Sequence, residues 1–114
     1  MNNLEQRRER FMKDSLQVRL GGLAANLARI SSFAKNPANL EAVRGLIEES
    51  KFFIEWTAPE TQIEKSSELV DLQINLALLH RNLHENWGND ESRLRIGDQA
   101  KTWSKQVLET AGLI

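Results

Sequence analysis

Leu69–Trp87 reads LVDLQINLALLHRNLHENW, and the rest of the chain has to fit around it. Leu69, Leu72, Leu76, Leu79, Leu83 and Trp87 step by three and four, the spacing that lines one face of an α-helix. Val70, Ile74, Ala77 and Leu78 widen that stripe to more than half the circumference, which predicts a helix at the centre of a packed helical core. The same stretch holds the only two histidines, His80 and His84.

The chain has 114 residues, enough for one domain over 1–114 with a hydrophobic core that needs no metal or disulfide support. Its 40% hydrophobic and 27% charged content argues for a folded chain rather than a disordered one. With no cysteine, disulfides, thiolate metal sites and cysteine nucleophiles are all excluded. The longest uninterrupted apolar run is Leu76–Leu79, far short of a membrane span. The charged opening MNNLEQRRERF lacks the apolar core of a secretory signal, so the expected location is cytoplasmic.

A net charge of −1 conceals an uneven distribution. Residues 1–35 carry seven basic and three acidic groups, residues 36–72 three and eight, and residues 73–114 five of each. Opposite fields on successive helices favour their packing on one another or on a second copy of the chain. The basic end is diluted by Glu5, Glu9 and Asp14, so no nucleic-acid partner is expected.

Four helices are predicted. Asn3 caps the first, which runs to about Lys35 with Leu16, Leu20, Leu23, Leu27, Ile30 and Ala34 along its seam. The seam continues through Gly21-Gly22, predicting a continuous or gently kinked helix despite a propensity cost of about 2 kcal/mol. Asn36-Pro37 starts a second helix reaching Trp56, with Leu40, Val43, Leu46, Ile47, Ser50, Phe53 and Ile54 inward. The third runs from about Glu60 to Trp87 and ends at Gly88-Asn89. The fourth begins at Asp90, buries Ile96, Ala100, Trp103, Val107 and Ala111, and stops near Gly112. Short connections predict an all-α, antiparallel four-helix bundle with a long first helix.

Three groups of residues are candidates for function. His80 and His84 lie one turn apart and could share a metal ion, with a carboxylate from Glu41, Asp90 or Glu91 as third ligand. Against a metal site, neither His-Glu-x-x-His nor the Glu-x-x-His pairs of di-iron bundles is present. Phe52 and Trp56 share a face away from the inner stripe of their helix. Either the N-terminal arm around Leu4, Phe11 and Met12 folds over them, or they form a partner surface, where large aromatics are enriched. Gly21, Ala25, Ala28 and Ser32 form a ridge of small residues opposite the leucine seam, as a close helix–helix dimer interface requires. No glycine-rich phosphate loop or nucleophile elbow is present, and no cofactor is implied.

The expectation is a non-enzymatic interaction or scaffold module forming a homodimer. The alternative is a metal-binding or metal-dependent enzyme bundle centred on His80 and His84.

Overall fold

The computed structural model describes residues 2–114. They form five α-helices: α1 Asn3–Met12, α2 Leu16–Phe33, α3 Leu40–Thr57, α4 Ile63–Trp87 and α5 Asp90–Thr110. Single 3₁₀ turns at Pro37–Asn39 and Ala58–Glu60 lead into and out of α3, and no strand occurs among the described residues. The fold is all-α, but the expected count of four helices is corrected to five.

The extra break falls at residues 13–15, not at Gly21-Gly22, which pass through the middle of α2 without interruption. Ser15 takes an extended conformation, and its hydroxyl accepts from the Val18 N–H at 3.3 Å, capping a new helix. Asn2, rather than Asn3, caps α1 by accepting from the Glu5 N–H at 2.8 Å. Arg19 ties the turn to its surroundings. Its buried guanidinium donates to the Asp14 carbonyl at 3.1 Å, reaches the Met12 sulfur at 3.4 Å and pairs with Glu60 after α3.

Helices α2 and α5 make the closest pair. Gln17 Nε2 donates to the Ala111 carbonyl at 3.0 Å, Ser104 Oγ to that of Ala24 at 2.8 Å, and Arg93 Nε to that of Ala34 at 2.9 Å. The start of α2 therefore lies beside the end of α5, and its end beside the start of α5. The approach is close because Gly97 has no side chain. A Cβ there would stand 3.2 Å from the Ser31 carbonyl oxygen and 3.4 Å from the Ala34 Cβ. At the far end, Gly112 adopts φ +73 and lets the Leu113 N–H bond back to the Leu108 carbonyl at 2.9 Å, a left-handed helix stop.

Helix α3 packs on α2 and α4, while α4 meets α5 more sparsely. Trp87 ties the end of α4 to the turn that starts α3, its indole N–H donating to the Pro37 carbonyl at 2.7 Å. Leu23, Leu27 and Ile30 of α2, Val43, Ile47 and Ile54 of α3, and Leu69, Leu76 and Leu83 of α4 are essentially inaccessible to water. Each such side chain contributes about 1.5–3 kcal/mol relative to exposure.

One interior assignment is overturned. Val70, Ile74, Ala77 and Leu78 do not widen the buried stripe of α4, because all four are exposed. Only Leu69, Leu72, Leu76, Leu83 and Trp87 of that helix are buried. α4 has neighbours on one side only, and a stripe wider than that side runs out onto the surface.

Candidate interaction surface

The outward face of α4 is built by helical periodicity. Ile63, Val70, Ile74 and Leu78 recur at steps of seven, four and four, opposite the buried leucines. Their exposures are 85%, 47%, 54% and 51%. Among the described residues no other α-helix buries this line, and Ser67 and Ala77 between its members are exposed as well.

The apolar surface continues onto α3. Ala77 and Phe52 line the same shallow depression of about 310 Å³, with Glu48, Lys51, Glu55 and Gln73 around them. Phe52 stacks on Trp56 with centroids 5.5 Å apart, and both are half-buried. Trp56 in turn leans on Phe53 at 6.3 Å and on Phe11 of α1 at 5.8 Å. Phe11 stacks directly over Phe53 at 4.0 Å. The N-terminal arm thus covers Phe53 and one side of Trp56, while Phe52 borders the open face of α4. Towards α1, the carboxylate of Glu49 pairs with Arg7 and accepts from the buried Asn26 Nδ2 at 3.0 Å, joining three helices.

The other sequence candidates fall elsewhere. His80 is half-buried and its Nδ1 lies 3.1 Å from the Lys51 ammonium, which fixes that nitrogen as an acceptor and puts the proton on Nε2. Burial, and then the Lys51 charge, hold the imidazole below the usual histidine value; Glu48 opposes this and Arg44 adds to it. His84 is exposed. The carboxylates expected as a third metal ligand pair instead with arginines: Glu41 with Arg44, Asp90 with Arg93 and Glu91 with Arg95. Among the described residues no three His, Cys, Asp or Glu side chains are grouped to hold a metal ion.

Of the small ridge on α2, Ala25, Ala28 and Ser32 face solvent, whereas Gly21 is half-buried beside Leu113. Within the chain, close packing uses a neighbouring line of α2, where Ala24, Ser31 and Ala34 meet Ser104, Gly97 and Arg93 of α5.

The residues missed by sequence reasoning are Val70, Ile74 and Leu78. Their signal was present: an apolar arc covering more than half a helix cannot all be buried where neighbours stand on one side.

A cleft of about 310 Å³ separates α4 from α5, floored by Leu69, Leu72, Trp103 and Val107 and bridged by a 2.7 Å bond from the Thr110 hydroxyl to Glu68. No helix among the described residues is long and apolar enough to cross a membrane. Comparison with protein-family models, curated proteins and solved structures finds no match to this chain.

Proposed function

We propose that the protein is a non-enzymatic, cytoplasmic interaction or scaffold module whose docking surface is the outward face of α4, extended by Phe52 and Trp56. In this reading α2 to α5 form an antiparallel bundle and α1 is a strap laid over α3. The opposed ends joined by Gln17–Ala111 and Arg93–Ala34 support that arrangement.

The observation that carries the reading is the exposed line Ile63, Val70, Ile74 and Leu78. A surface helix normally presents charge to water on the side away from its core. Contiguous exposed apolar stripes mark interaction sites, because leaving them in water lowers solubility and covering them recovers the transfer free energy. Aromatic residues at the margin are the type enriched at binding hot spots. The histidine pair has no comparable support. One imidazole faces an ammonium group and the other lies outside, with no third ligand gathered beside them among the described residues.

Affinity capture from the source cells with native protein and with Ile74→Asp/Leu78→Asp, alongside solution mass of both, tests the proposal. The native protein should associate with itself or with a retained protein, and the variant should lose that association while keeping its helical circular dichroism. Identical behaviour of the two proteins would contradict the proposal.

A further inference from the structure

We infer that the occupant of the α4 face is a second copy of the chain, docked antiparallel through Val70, Ile74 and Leu78 about a two-fold axis near the middle of α4. This rests on the interaction reading above and names its partner.

Shape and charge along a single helix favour a second copy as the occupant. Ile74 and Leu78 are exposed one turn apart near the middle of α4, so a two-fold axis level with Leu76 sets each of them against the other in the second copy. A two-fold contact uses one patch twice and closes after two copies, which makes it the commonest route to a homo-oligomer. The charges bordering the line differ between its ends. The N-terminal half of α4 carries Glu64, Glu68 and Asp71 against Lys65, and Arg81 follows the line on the C-terminal side of Ala77. Parallel docking would set Asp71 beside its own copy. With Ile74 opposite Leu78 of the second copy, antiparallel docking sets Asp71 opposite Arg81, twice by symmetry. In that register Glu85 faces Ser67, so no like-charged pair lies directly across the contact. Both Asp71 and Arg81 are exposed, and neither forms an ion pair among the described residues.

The test uses the full chain. Light scattering after size exclusion and sedimentation equilibrium are run from about 1 to 100 μM, the range in which modest interfaces dissociate. The native protein should be dimeric. Ile74→Glu should weaken the dimer by about tenfold or more, as expected for a charge buried at an apolar centre. Asp71→Arg and Arg81→Asp should each weaken it, and the double reversal should restore it. Far-ultraviolet circular dichroism and thermal melting verify that each variant is folded, as expected for substitutions at exposed positions. Ala25→Glu, on the outer face of α2, should leave the dimer intact.

A dimer that survives Ile74→Glu, or is lost only in Ala25→Glu, overturns the inference. So does a double reversal that fails to restore association. A monomeric native protein overturns it too, and affinity capture then separates the two claims. A retained foreign protein lost in Ile74→Asp/Leu78→Asp leaves the interaction reading standing, whereas no such retention removes both.

Discussion

Phe11 lies flat against Phe53, ring centroids 4.0 Å apart and planes 11° from parallel, and this stack is the main apolar attachment of α1. No residue of α1 is fully buried. The ion pair between Arg7 and Glu49 and the contact of the Met12 sulfur with Arg19 hold it as well. The first helix is therefore a strap laid over the bundle, and its removal uncovers Phe53 and one side of Trp56.

Phe11→Ala should release that strap at a cost of about 1–2 kcal/mol, less than for a fully buried aromatic because Phe11 is half-buried. The emission of Trp56 should shift to longer wavelength, and trypsin should cut after Lys13 faster than in the native protein. Unchanged cleavage would mean that α1 is held by other contacts.

Two glycines should respond with opposite signs. Gly97→Val would drive a side chain into the Ser31 carbonyl 3.2 Å away, separating α2 from α5 and destabilising by about 2–4 kcal/mol. Gly45, exposed within α3, has nothing within 4 Å of a Cβ, so Gly45→Ala should stabilise by about 1 kcal/mol through helix propensity. Urea denaturation of both variants measures the difference.

Arg93 is buried although its carboxylate partner is exposed. Arg93→Ala should cost about 2–4 kcal/mol because it strips the Ala34 carbonyl at the end of α2 of its donor. Asp90→Ala, which removes a largely solvated ion-pair partner, should change stability by under about 1 kcal/mol. Equal losses in chemical denaturation would place the energy in the ion pair instead of the helix cap.

Local periodicity made most of the fold legible. The seam Leu20, Leu23, Leu27 and Ile30 and the stripe Leu69, Leu72, Leu76 and Leu83 are buried where three- and four-residue spacing puts them. What periodicity could not supply was the number of neighbours around each helix. That number decides whether Val70, Ile74 and Leu78 are core or surface. The break at residues 13–15 was missed for a related reason: the seam begins only at Leu16, and Ser15 competes for the backbone as a cap. For the aromatic site, spacing placed Phe52 and Trp56 on one face, and the structure stacks their rings. The cover by Phe11 was one of two alternatives left open, because a long-range contact has no local signature that chooses between them.

His80 gives a pH dependence with a definite sign. Its pKa is lower in the folded protein than the ordinary 6.5, so the unfolded chain binds the proton more readily. The contribution is fully present above about 6.5, the unfolded value, and is lost as pH falls from there through the depressed folded value. The melting temperature of His80→Gln should therefore fall less than that of the native protein between pH 7.5 and pH 5 (roughly the range over which an ordinary histidine titrates). A parallel decline in the two proteins would show that His80 is not the group responsible.

Hydroxyl-radical footprinting of α4, comparing dilute purified protein with the same protein at working concentration in lysate of its source cells, tests the docking surface most directly. Modification at Val70, Ile74 and Leu78 should drop several-fold in the lysate, while Val18 and Leu94, exposed on other helices, stay equally reactive. Equal modification of the three α4 residues under both conditions would show that the face stays in water, contradicting its role as a docking surface.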